Sequence, residues 1–180
     1  MSYLILQNFF SDEERSRLFE MTIAHQSDFV ASTTSTNAAS WRNSSVLHHL
    51  EEWKEIVESK IQAQLGFVLY QLGLESFIPS QIEAQITAHG DGCYYKTHND
   101  NGSSDTNTRW LTYVYYFHRK PKPFTGGELS IDNVGLIEPI DNTIVFFNSS
   151  LQHEVLPVMS SDRFEDSRFT INGWIHNRSR

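Results

Sequence analysis

The chain has 180 residues, of which 39% are hydrophobic and 13% aromatic, so its composition is that of one globular domain with a proper core. Fourteen basic residues stand against 22 acidic ones, a net charge of −8 that disfavours a phosphate-backbone partner. No apolar run approaches the ~18 residues of a membrane span, and a single cysteine, Cys93, excludes an internal disulfide or a cysteine-built zinc site.

Met1 to Phe10 is apolar but lacks a basic leader and a cleavage site, so a cytoplasmic location is expected, without a membrane. Ser11 followed by Glu14 is a capping-box pattern that predicts a helix ending near His25. Gln26 to Ser45, rich in Ser, Thr and Asn, reads as an extended surface excursion interrupted by Trp41 and Arg42. From about Leu50 to Leu72, the spacing of Trp53, Ile56, Val57, Ile61, Leu65 and Val68 predicts a second helix with one buried face. Residues 1–78 are thus read as helical support.

After Pro79 the period changes from helical to alternating. Ile82, Ala84 and Ile86 alternate, then Tyr113, Tyr115 and Phe117 on one side with Val114 and Tyr116 on the other. Leu129 and Ile131, Ile144 to Phe147, and Phe169 to Ile175 complete six to eight short strands separated by Gly, Asp and Asn turns. Mainly β structure buttressed by N-terminal helices (α+β) is expected, with residues 79–180 forming a jelly roll within a single domain. The basic spots, Arg119 to Lys122 and Arg178 to Arg180, are short; the first falls in an expected hairpin loop.

Eight histidines make no single one informative. In a strand, residues i and i+2 share a face, so His98-Asn99-Asp100 can turn an imidazole and a carboxylate onto one ion. His89-Gly90-Asp91 has the same form but reads as a glycine turn, and His49-Leu50-Glu51 sits at a helix start where i and i+2 diverge. His153, 53 positions after Asp100 and beyond another strand, supplies the third ligand. Two histidines and a carboxylate leave three coordination positions open, the arrangement of non-haem Fe(II) oxygenases. A zinc hydrolase would need a general base nearby, and Glu154 should point away. Arg168 opens an otherwise apolar strand, where a guanidinium is costly unless it meets an anion such as a carboxylate. Pairing with Glu165 or Asp166 is its ordinary alternative. His48, His49, His118 and His176 read as solvated rather than ligating.

In this order and spacing, residues 82–176 resemble the prolyl-hydroxylase branch of the iron(II)/2-oxoglutarate-dependent dioxygenases. The resemblance rests on Gly90-Asp91-Gly92, Tyr95, His98-Asn99-Asp100, Leu111 to Tyr116, Gly126 to Leu129, Val145 to Phe147, His153 to Val155 and Arg168 to Trp174. It implies a double-stranded β-helix core, Fe(II) on His98, Asp100 and His153, 2-oxoglutarate as co-substrate and O2. Ascorbate is the candidate reductant. It further implies that Tyr116 and Arg168 hold the distal carboxylate, with Asn172 and Tyr95 in the same pocket, and that the Gly126-Gly127 turn covers the core. Val158 to Asp166 departs from the pattern as an inserted loop, which makes Arg163 a rival anchor for that carboxylate, and Ala88 stands where relatives often carry a tyrosine. Retention of Asp100 argues against a halogenating variant. The expected substrate is a prolyl or other residue of a protein or peptide, with the polar loop Asn101 to Thr108 over it. A free amino acid or small metabolite is the alternative, and a non-catalytic metal-binding jelly roll a third reading. Oligomeric state is not legible.

Overall fold

The computed structural model describes residues 1–33, 40–48 and 52–177. The expected pair His49 and Glu51 and the basic tail from Arg178 lie outside those residues. Two helices, α1 (Asp12–Ala24) and α2 (Glu52–Leu72), accompany fifteen strands. These are β1 (Tyr3–Gln7), β2 (Val30–Ala31), β3 (Arg42–Asn43), β4 (Ser45–Leu47), β5 (Gln81–Ile82), β6 (Gln85–His89), β7 (Tyr94–His98) and β8 (Arg109–Phe117). They continue as β9 (Thr125–Gly126), β10 (Leu129–Ile131), β11 (Gly135–Ile137), β12 (Thr143–Asn148), β13 (His153–Val155), β14 (Val158–Met159) and β15 (Arg168–His176).

The capping box forms as read. Ser11 Oγ accepts from the Glu14 N–H, Glu14 accepts from the Ser11 N–H, and three acidic residues occupy the first turn, where the helix dipole favours them. Helix α2 buries Trp53, Val57, Ile61, Leu65 and Val68 along one stripe. Both helices pack on one face of a large antiparallel sheet ordered β1-β12-β8-β15-β6-β4-β2, with β5 added beside β15. A smaller sheet, β11-β10-β13-β7-β3, faces the other side, and β14 pairs with β9. Together they are the double-stranded β-helix.

Alternation along the central strands divides the interior into two. On β8, Tyr113, Tyr115 and Phe117 join the helix-side core, while Tyr116 and Val114 join the cluster between the sheets. On β15, Phe169, Ile171 and Ile175 face the helices, which leaves Arg168, Thr170, Asn172 and Trp174 to line a cavity of about 940 Å³. On β6, Ile86 and Ala88 go to the core and Gln85, Thr87 and His89 to the cavity. A polar cavity floor is therefore built by the same period-two rule that builds the core.

Three sequence expectations change. The apolar start is strand β1, paired with β12 from Tyr3↔Phe147 to Gln7↔Thr143, because an edge of the large sheet is there to be covered. The surface excursion also contributes β2, β3 and β4, with β4 joined to β6 and β3 to β7. The inserted segment after His153 carries β14 and a single 3-10 turn rather than a plain loop. The first basic spot lies in a loop, but not a hairpin, since it joins β8 to β9 and these do not pair; Arg119, Lys120 and Lys122 are each engaged, by Asp166, Asp141 and Glu138, so no basic stripe results there.

Gly173 shows how closely β15 is approached. A Cβ there would lie 1.8 Å from the Glu83 carbonyl oxygen, which also accepts a hydrogen bond from Tyr113. Gly173→Ala should therefore cost on the order of 1–3 kcal/mol, as overpacking does. The urea midpoint should fall accordingly; an unchanged midpoint would show that the backbones separate freely.

Candidate active site

Strands β7 and β13 run antiparallel with His98 directly opposite His153, and their ring centroids are 4.3 Å apart. Asp100 follows just past the end of β7, where its N–H donates to the Ser149 carbonyl at 2.9 Å. Its carboxylate accepts from the Thr112 hydroxyl at 2.7 Å, and Thr112 and Ser149 share a hydroxyl contact of 2.9 Å. Asp100 Oδ1 is then 3.6 Å from His98 Nε2, and Oδ2 is 3.4 Å from His153 Nε2. Among the described residues, these three form the cluster suited to a metal ion, with donor atoms all within 4.8 Å of one another.

The tautomers favour a metal. His98 Nδ1 is 2.7 Å from the Lys96 carbonyl and His153 Nδ1 is 2.9 Å from the Leu151 carbonyl. A carbonyl can only accept, so each Nδ1 carries the proton and each Nε2 lone pair faces inward. Burial, and then the neighbouring His153, bring the His98 pKa down to about 4 against the opposing pull of Asp100. Its lone pair is thus free at neutral pH. Burial alone would raise the Asp100 carboxyl, but His153, His98, the Thr112 hydroxyl and Trp174 outweigh it and hold the pKa below its ordinary value. Tyr95 stacks on His98 at 3.6 Å and 19°, fixing the ring plane. Glu154 points away as expected and accepts from Thr97, so no general base stands beside the triad on that strand.

The deep end of the cavity is defined by unpartnered buried groups. Arg168 is 2% exposed, and among the described residues its Nε and Nη2 have no hydrogen-bond partner. Its Nη1 lies 3.5 Å from His89 Nδ1 and its guanidinium stands over the Tyr116 ring at 5.0 Å. The Tyr116 hydroxyl and His89 Nε2 are likewise buried without partners. Burial raises the Tyr116 pKa to about 12 despite Arg168, so the hydroxyl remains a donor. Asn172 lines the cavity with its Oδ1 taken by Thr87 at 2.7 Å and Thr170 at 3.3 Å, which leaves its amide nitrogen to offer.

Gly127 makes room for Arg168. A Cβ there would come within 2.7 Å of Arg168 Cδ, and its φ of +71° is one that glycine adopts without strain. The alternatives weighed for Arg168 are taken up elsewhere: Glu165 is paired with Arg163, and Asp166 with Arg119. Arg163 itself has a side chain 58% exposed and is not part of the cavity wall.

His89 corrects the sequence reading. It ends β6 rather than opening the turn, and it is buried against Arg168. Burial, then Arg168 and Arg42, keep it neutral. Ala88, by contrast, packs in the helix-side core, so His89 and not Ala88 lines the cavity. His118 and His176 are buried rather than solvated, although neither joins the triad; His176 Nε2 lies 2.5 Å from Glu83. Sequence reasoning also missed the mouth of the cavity. There Glu83 holds Arg109 through two contacts of 3.1 and 3.2 Å, and Arg109 lies 3.6 Å from the centre of the Trp174 ring. The alternation of Gln85, Thr87 and His89 was the available signal for the first of these; nothing local marks the second.

With this geometry the comparisons agree. The sequence profile of the 2OG-Fe(II) oxygenase superfamily matches residues 84–176, which include the triad and Arg168. The chain belongs to the 2OG-Fe(II) oxygenase superfamily. It is 39% identical over 193 aligned residues to an uncharacterised PKHD-type hydroxylase of Synechocystis, covering 98% of this chain and 64% of that relative. The chain thus spans just under two thirds of the length of the curated relative it matches. Solved structures show the same fold. A prolyl-4-hydroxylase of Pseudomonas putida superposes with a TM-score of 0.70 at 21% identity, over 99% of this chain and 94% of that one. A Trichoplax adhaerens prolyl hydroxylase, in complex with a hypoxia-inducible-factor peptide fragment, gives 0.74 at 19% identity, over 97% and 83%. A viral collagen prolyl hydroxylase of Paramecium bursaria Chlorella virus 1, as a 2OG complex, gives 0.65 at 21%, over 97% and 96%.

Members of this superfamily use Fe(II) and 2-oxoglutarate, and the residues here fit both groups. Two neutral imidazoles and one carboxylate match a divalent iron with open positions, and the orphaned donors around Arg168 match a carboxylate. His98→Ala, Asp100→Ala and His153→Ala should each weaken Mn(II) binding by more than roughly a hundredfold, since outer partners alone are worth ten- to a hundredfold. Thr112→Val should weaken it by roughly tenfold, and His118→Ala should leave it unchanged. Equilibrium dialysis measures all five; wild-type affinity in Asp100→Ala would remove the site.

Proposed function

We propose that this chain is an iron(II)- and 2-oxoglutarate-dependent hydroxylase of a residue, prolyl first, in a protein or peptide. The observation that carries the proposal is the buried guanidinium of Arg168, whose free donors stand with Tyr116 and His89 at the far end of a cavity holding the metal triad. A buried charge of this kind is stable only with an anion, and a planar carboxylate suits its fork. The viral enzyme with the same fold was solved as a 2OG complex, which supports the same reading here.

In this account Arg168 and Tyr116 grip the distal carboxylate, and the amide of Asn172 and the ring of Tyr95 border the co-substrate along its length. His89, neutral and accepting from Arg168 at Nδ1, keeps the guanidinium turned toward the cavity. Iron and 2-oxoglutarate, when bound, would activate O2, the oxidant that hydroxylates an unactivated C–H bond while 2-oxoglutarate is oxidised to succinate and CO2. The chain contributes orientation, and the apolar side chains of Leu129, Val155 and Val114 line part of the same cavity. At the mouth, Trp174 and Arg109 form a flat wall, and Ser103 and Thr106 close a polar turn in the loop expected to lie over a substrate. A peptide substrate is supported by the Trichoplax relative, which was solved with a peptide fragment. A free amino acid or other small metabolite is the second reading, favoured by a cavity volume in the range of small-molecule sites.

Two measurements test this. A screen of peptides and free amino acids should yield a product heavier by one oxygen atom in the presence of iron, 2-oxoglutarate and O2; the product identifies which substrate class is correct. For the co-substrate, Arg168→Ala should raise its Michaelis constant roughly ten- to a hundredfold, the usual worth of hydrogen bonds to a charged group. Arg168→Lys should fall between the two and Tyr116→Phe should be milder, whereas Arg163→Ala should match the wild type. Unchanged kinetics in Arg168→Ala would mean that 2-oxoglutarate is not the co-substrate.

A further inference from the structure

The cavity contains a second guanidinium for which iron and 2-oxoglutarate leave no anion. Arg42, on the edge strand β3, lines it from the small sheet, opposite Tyr95 in the strand register. Its guanidinium lies over the Tyr95 ring at 4.7 Å, and that ring stacks on His98 at 3.6 Å. An anion seated on Arg42 would therefore be within about two residues' reach of a metal ligand. Arg42 is also pinned: Nε donates to Ser44 Oγ at 2.9 Å, and Ser44 Oγ donates to Ser32 Oγ at 2.9 Å. With Nε engaged and no other hydrogen bond to the guanidinium among the described residues, the two terminal nitrogens can present a pair of donors. Among the described residues no carboxylate lies within ion-pair distance of Arg42. The acid whose field reaches it is the metal ligand Asp100.

Charge balance gives this arrangement a direction. Among the described residues, the charged side chains lining the cavity are Arg42, Glu83, Asp100, Arg109 and Arg168. Glu83 and Arg109 neutralise each other at the mouth. A divalent iron with Arg168 and Asp100 carries two net positive charges, which the two carboxylates of 2-oxoglutarate cancel. Arg42 is left over. A guanidinium in a partly desolvated wall, held in place and without an acid, is costly unless a third anion arrives with the substrate.

We propose that Arg42 determines substrate specificity by binding a carboxylate carried by the molecule to be hydroxylated, close to the reacting carbon. This rests on the oxygenase reading and adds a substrate class to it: acidic peptides, or peptides and amino acids read by their terminal carboxylate.

The test uses protein loaded with Mn(II) and 2-oxoglutarate, which binds substrate without turnover, and calorimetric titration with three probes. These are acetyl-Ala-Glu-Pro-Glu-Ala-amide, its counterpart with both Glu replaced by Gln, and acetyl-Ala-Gln-Pro with a free terminal carboxylate. A carboxylate peptide should bind at least roughly tenfold more tightly than the Gln peptide, by the worth of a charge-assisted contact. Which of the two it is identifies a side-chain or a chain-end carboxylate. Arg42→Gln should abolish the preference and Arg42→Lys should keep part of it, while 2-oxoglutarate affinity moves by less than about twofold, since Arg168 and not Arg42 holds that anion. Equal affinity for all three probes, binding of none, or a preference that survives Arg42→Gln overturns the proposal. So does a loss of 2-oxoglutarate affinity in Arg42→Gln, which would assign Arg42 to the co-substrate. Failure of 2-oxoglutarate to bind the wild-type Mn(II) protein is read in a separate titration and would instead remove the oxygenase reading beneath it.

Discussion

Arg168 sits at the start of one of the two longest strands of the large sheet, paired with His89 on one side and followed directly by Phe169, which pairs with Phe117 on the other. A guanidinium in such a place must be satisfied by something, and no acid of the fold reaches it at ion-pair distance among the described residues. The features around it are what make the placement tolerable. Gly127 is bare of a side chain where Arg168 Cδ passes, and Tyr116 offers a ring face. His89 stays neutral because burial and Arg168 both oppose its protonation. Each of these would be a poor choice for stability alone, and together they leave the buried donors that the proposed carboxylate grip uses.

The metal triad answers a different constraint, that of register. Because β7 and β13 are antiparallel neighbours, a single pairing puts His98 opposite His153, and a one-residue slip would turn one imidazole to the far face. Asp100 lies outside the strand pairing and needs its own fixings, which Ser149 and Thr112 supply from β12's far end and β8. The large sheet thus carries Arg168 and the unpartnered groups around it, the small sheet carries the histidines, and Thr112 ties the two together.

Much of this was legible because strand periodicity and metal chemistry are both local in sequence. The alternation of Tyr113, Tyr115 and Phe117 against Val114 and Tyr116 assigned both faces of β8 correctly, and His98 with Asp100 needed only the i, i+2 rule. What escaped was non-local. Tyr3–Gln7 is a strand because β12 has an open edge, which no property of those five residues announces. Glycine at 90 and 92 suggested that His89 belonged to the turn, whereas its pairing with Arg168 extends β6 by that one residue. Arg42 stood in a polar segment with no pattern of its own, and its place becomes evident only when β3 is seen beside Tyr95.

The central claim is that His98, Asp100, His153 and Arg168 together form a working iron and 2-oxoglutarate site. The most direct measurement follows carbon from labelled 2-oxoglutarate in the absence of any added substrate, with the metal-loaded protein under air and under argon. Slow conversion to succinate and CO2 that requires both iron and O2 is the predicted result. A folded protein that binds iron and 2-oxoglutarate yet releases no succinate under air, even with the substrate screen supplied, would contradict the account.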